Sequence, residues 1–153
     1  MILDNRETIL NSLEKLMYGH NYEVYFGIET FESNENLDDC FRKIKNECAS
    51  YRLDDPRIIL SNEEEFWDKI NYGFQYRGDD VAGLELTTEQ EAELKIEQEN
   101  YKDLLLQLMS NKTSFYVFHD NEYIPYWHLF WGYSFILFND DLPSFFIYGG
   151  SSD

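Results

Sequence analysis

Apolar residues recur at helical spacing from the start of the chain. Ile9, Leu10, Leu13, Leu16 and Met17 fall on one helical face behind Asp4-Asn5-Arg6-Glu7, which has the spacing of a capping box. Gly19 is the expected stop. The period then changes from 3.6 to 2. Tyr22, Val24, Phe26 and Ile28 alternate with Glu23, Tyr25, Gly27 and Glu29, which predicts a half-buried strand over 22–30. A second helical stripe, Leu37, Cys40, Phe41, Ile44 and Cys48, follows Ser33 or Asn34 as cap. After the turn at Asp54-Asp55-Pro56, Arg57 to Leu60 predicts a short strand. Ser61 to Glu64 is a second capping box, opening a helix with Phe66, Trp67, Ile70 and Phe74 on one side. Arg77 to Asp80 predicts a loop and Val81 to Leu86 a short edge strand. Thr88 to Glu91 is a third capping box, starting the longest helix over 89–109.

The remainder is β in character. Strands are expected at 114–119, 131–138 and 144–148, with turns at Asp120-Asn121 and at 139–143. Residues 123–130 are ambiguous between strand and helical turn, and Gly149 to Asp153 is expected to fray. Residues 115–148 hold 14 aromatics. Alternation sends Trp131, Tyr133, Phe135 and Leu137 to one face and Gly132, Ser134, Ile136 and Phe138 to the other. Phe145 and Ile147 likewise oppose Phe146 and Tyr148. Both faces are apolar, so these strands belong in the middle of a sheet covered on both sides. The expected fold is one α+β domain over 1–153: an antiparallel sheet of four or five strands, built mainly from 22–30 and 114–148, with helices packed against it.

Charge changes the picture more than length does. Thirty acids against twelve lysines and arginines give a net charge of −18 in 153 residues. Such a field repels nucleic acid, which needs basic patches, and repels anionic membrane surfaces. It attracts basic proteins and speeds their encounter. The acid is dense over 79–97, where Asp79, Asp80, Glu85, Glu89, Glu91, Glu93 and Glu97 stand against Lys95 alone. At about 100° per residue, Glu93 and Glu97 fall on the same side of the long helix as Leu94, Tyr101, Leu104, Leu105 and Leu108. An unpaired buried carboxylate is costly, so either these two glutamates are paired or the start of the helix overhangs the core. The overhang predicts an acidic prong formed by Asp79, Asp80, Glu85, Glu89, Glu93 and Glu97. Tyr126 and Trp127, beside Pro125 in an irregular stretch, are the aromatics expected at a surface as partner anchors.

Catalytic constellations do not emerge. His20, His119 and His128 form no zinc-type pair, and Cys40 and Cys48 lack the short spacing of a zinc or redox site, so no metal and no cofactor are expected. Eight residues apart on one helix, the cysteines are also too far apart for a disulfide. No serine sits in a G-x-S-x-G elbow, and no glycine-rich phosphate loop precedes a helix. His119-Asp120 is an acid–base candidate whose simpler explanation is a histidine at a strand end beside a turn. Among 30 carboxylates some close pair arises by chance, so a glycosidase-like pair is not indicated. Met1 to Asn5 has no basic region followed by an apolar stretch, and the run 123–138 is interrupted and too short for a membrane span, so a cytoplasmic protein is expected.

Small size, a single domain, high acidity, aromatic richness and the lack of catalytic residues give a profile that resembles bacterial immunity proteins. These neutralise polymorphic or contact-dependent growth-inhibition toxins, often basic nucleases. The resemblance covers the whole chain, rests on no diagnostic motif, and transfers no family residue. It implies a non-enzymatic inhibitor that caps a basic toxin domain's active site. A phage-type nucleic-acid mimic that blocks a DNA-binding protein would use the same physics against another partner. An enzyme would require a deep pocket joining His119 or His128 to carboxylates.

Overall fold

The computed structural model describes residues 5–32, 34–48, 58–118, 129–140 and 142–152. Within them the order is α1 (Arg6–Leu16), β1 (Glu23–Phe31), α2 (Leu37–Lys43) continuing as a π-helical turn (Ile44–Cys48), β2 (Ile58–Leu60), α3 (Glu63–Gln75), α4 (Thr88–Gln107), β3 (Ser114–Phe118), β4 (Gly132–Phe138) and β5 (Ser144–Ser152). The strands form one antiparallel sheet in the order β1-β5-β4-β3-β2. The α+β class and the five-stranded antiparallel sheet are those expected from the sequence.

Strand alternation divides the core into two layers. On one face Val24, Phe26, Ile28, Phe115, Trp131, Tyr133, Phe135, Leu137, Phe145 and Ile147 meet the apolar stripes of α1, α3 and α4. On the other, Ile136, Phe146, Phe118 and Phe31 meet Cys40 and Ile44. The middle strands are therefore apolar on both sides because both sides are packed. Aromatic edges fill the larger layer: Phe66 meets Phe135 at 5.0 Å between centroids and at right angles. The hydroxyls of Tyr101 and Tyr133 share a buried hydrogen bond of 2.6 Å, and Trp131 Nε1 donates to Tyr22 Oη at 2.7 Å.

Several expectations are corrected. Residues 149–152 do not fray: Gly149 to Ser152 continue β5, paired with Val24 to Phe26 and Glu23 on one side, and Gly149 and Gly150 pair with Tyr133 and Gly132 on the other, while Asp153 lies outside the described residues. A side chain at Gly149 would stand 2.7 Å from Tyr133 Oη and 2.8 Å from the Phe26 ring, so glycine is what lets those rings close over the strand. Residues 81–86 form no strand. Gly78 and Gly83 pair across a tight loop with φ of +83° and +155°, and Asp79 Oδ1 accepts from the N–H groups of Val81 and Ala82. Turn chemistry here overrides alternation.

Helix starts also move. Thr87, not Thr88, caps α4, in a reciprocal box with Gln90. Asn36, not Ser33 or Asn34, caps α2, in a box with Asp39. Asn62 caps α3 by accepting from the Glu65 N–H, while Ser61 Oγ donates to the Glu65 carboxylate. Asn5 precedes α1 without a side-chain cap, and Asp4 lies outside the described residues. The turns at 54–56 and 120–121 and the ambiguous segment up to 128 also lie outside them.

Candidate partner-binding surface

Twenty residues give α4 a length of about 30 Å. Its contact with the core is uneven. Leu94, Tyr101, Leu104 and Leu105 are buried, but Thr88 to Glu93 are all exposed. The first turn and a half therefore stands clear of the core, as the overhang requires. The capping box at Thr87 holds that free end as helix, and the acids of the first turn lie at the positive end of the helix dipole. Arg77 ties the overhang down. One of its guanidinium nitrogens donates to the carbonyls of Phe74 and Tyr76, and the other reaches Glu91 at 3.3 Å.

The acids expected to act together separate into groups. Asp79 is spent on its own turn, where the two backbone N–H groups hold its carboxyl below the ordinary carboxylate range. His20 and Asn21 pin that turn to the end of α1: His20 Nε2 lies 3.2 Å from the Asp79 carbonyl, and Asn21 Nδ2 donates to the Val81 carbonyl at 3.0 Å. Asp80 and Glu89 are exposed. Glu85, Glu93 and Glu97 come together. With Leu86, Ile96 and Gln90 they line a cleft of about 600 Å³ whose opposite wall is Ser12, Lys15 and Leu16 of α1 and Tyr18 just beyond it. Glu93 and Glu97 thus face α1 rather than the core. Glu97 is half-buried, and among the described residues neither makes an ion pair.

Tyr126, Trp127, His119 and His128 lie outside the described residues. Acid is not confined to 79–97. Glu63, Glu64 and Asp68 on α3, Asp38 on α2, and Glu23 and Glu29 on β1 are all exposed. Tyr18 and Ile96, 63% and 57% exposed, are apolar surface that the sequence pattern does not predict. The available signal was Ile96 itself, an apolar residue between Lys95 and Glu97 in a stretch dense in glutamates. Among the described residues no group of three His, Cys, Asp or Glu side chains is placed to hold a metal, and no helix is long and apolar enough to cross a membrane. No family model, curated protein or solved structure matches this chain.

Proposed function

We propose that this protein is an immunity protein: a non-enzymatic inhibitor that binds a basic bacterial toxin domain and blocks its active site. The observation that carries this reading is the exposed start of α4, a rigid, capped array of carboxylates raised off the core in a molecule of net charge −18. A floppy acidic tail would also attract a cationic protein, but it would have to be ordered on binding at an entropic cost. A capped helix is already ordered. Carboxylates so held stand where the phosphates of a nucleic-acid substrate would lie, and close charge pairs at such interfaces couple by about 1.5–7 kcal/mol. The cytoplasm, where a nuclease would otherwise act, is the compartment this role requires.

A second reading, a nucleic-acid mimic directed against a DNA-binding protein, draws on the acid exposed on α2, α3 and β1 as well. A single experiment separates the two. The tagged protein is expressed in its host, the basic protein that co-purifies is identified, and that protein's nuclease activity is assayed with and without the inhibitor. Loss of nuclease activity at a one-to-one ratio is expected. A captured protein that binds DNA without cutting it, released by free DNA, would replace the immunity reading with the mimic.

A further inference from the structure

The cleft between α1 and α4 brings carboxylates and apolar side chains together around one opening. Leu86 lies within it, half-buried, and Tyr18 and Ile96 stand on either side with more than half of their surface open to solvent. Glu85, Glu93 and Glu97 stand round this apolar lining with Lys15 as the lone cation. Glu97, half-buried and without an ion pair among the described residues, leaves the negative charge of the cleft open to a cation from outside. A cleft of mixed apolar and acidic lining suits neither an aliphatic side chain, which would leave the acids uncompensated, nor a hydrated metal ion, which would leave Leu86 and Ile96 uncovered.

We propose that the α1–α4 cleft is the receptor for an arginine side chain presented by a basic protein. The methylene stem lies along Leu86 and Ile96, the guanidinium stacks on the Tyr18 ring, and its N–H groups reach Glu93 and Glu97. Arginine is specified over lysine because a planar fork can pair with two carboxylates while stacking on a ring, and an ammonium cannot do both. This rests on the reading of the protein as a binder of basic partners and names the contact within it.

The test is backbone-amide NMR of the intact protein titrated with acetyl-tri-arginine amide, with acetyl-tri-lysine amide and spermidine as comparisons. Saturable shifts centred on Tyr18, Glu85, Glu93, Ile96 and Glu97 are expected, weaker with tri-lysine, and weakened about tenfold or more in Glu93→Gln/Glu97→Gln. Shifts of equal midpoint at Glu63 to Glu65 and Asp38, indifference to the double substitution, or spermidine binding as tightly as tri-arginine would each overturn the proposal. Should the double variant fail to fold, Tyr18→Ala at an open surface position carries the same expectation. The two readings fail separately. A toxin neutralised equally well by the wild type and by Glu93→Gln/Glu97→Gln removes the cleft alone, whereas a protein that captures no basic partner removes the reading on which it rests.

Discussion

Individual residues in this molecule trade hydration against packing in ways a stability measurement can read. Glu14 on α1 accepts a hydrogen bond from the N–H of Phe26, an outward-facing donor on the edge strand β1, at 3.2 Å. The contact blunts a sheet edge that would otherwise be open to pairing. Burial nevertheless dominates, and the Glu14 carboxyl is pushed above its usual range. A raised folded-state value means the native protein holds the proton more tightly than the unfolded chain. The stabilising contribution is therefore present at low pH and is lost as pH rises past the ordinary glutamate range into the raised one. Glu14→Gln keeps the acceptor and removes the charge, so it should raise the thermal midpoint at pH 7 and have less effect near pH 4. Melting curves at both values check this. The Tyr101–Tyr133 pair makes a complementary case, because each hydroxyl is buried and serves the other. Tyr133→Phe should cost about 1–3 kcal/mol in urea unfolding, and Tyr101→Phe/Tyr133→Phe should recover much of that by leaving no orphaned hydroxyl.

At the scale of elements, caps and strand ends are where prediction from the pattern and the folded chain diverge. Thr87→Ala should destabilise by about 1 kcal/mol and Thr88→Ala by much less, measured by urea denaturation, because only the Thr87 hydroxyl accepts from the Gln90 N–H. Gly149→Ala should cost about 1–3 kcal/mol through overpacking against Phe26 and Tyr133, and an unchanged stability would mean that the last strand ends before it. Both cases show what was legible in the sequence. The middle strands were readable because Trp131, Tyr133, Phe135 and Leu137 alternate with residues that pack on the opposite face. Helix stripes at Leu13, Ile70 and Leu104 were readable for the same reason, since the burial of one face imposes its period on the sequence. The end of β5 was not readable. Gly149, Gly150, Ser151 and Ser152 carry no apolar signal, and their place in the sheet comes from backbone pairing and from rings contributed by other strands. Cap positions slipped by one to three residues because polar residues cluster at helix starts, and only geometry decides which one turns back on the chain. The surface was half legible. The overhang of α4 followed from Glu93 and Glu97 on the side of its apolar stripe, but the cleft needed α1 to lie beside it, and no pattern in the sequence brings Tyr18 and Ile96 to one cleft.

For the whole molecule, charge sets what can approach. A net charge of −18 should repel DNA and RNA, so no saturable shift is expected in a gel titration at physiological salt, and binding there would remove the electrostatic argument altogether. A basic protein meets the opposite field. Its association should slow and weaken as salt rises, since the screening length falls from about 10 Å at 0.1 M to about 3 Å at 1 M. That field has a centre at the raised start of α4, where Glu89 and Glu93 are exposed and Glu97 looks into the cleft. Glu89 and Glu93 precede the first buried residue, Leu94, and Glu97 lines the cleft rather than the core, so reversing these three charges should leave the fold intact. Calorimetry of Glu89→Lys/Glu93→Lys/Glu97→Lys against a basic protein that co-purifies with the wild type is the decisive measurement. Unchanged circular dichroism is expected, with an affinity lowered about 100-fold or more, roughly 3 kcal/mol. Wild-type affinity in a variant that folds normally would contradict it, reducing the acid of α4 to a solvating surface.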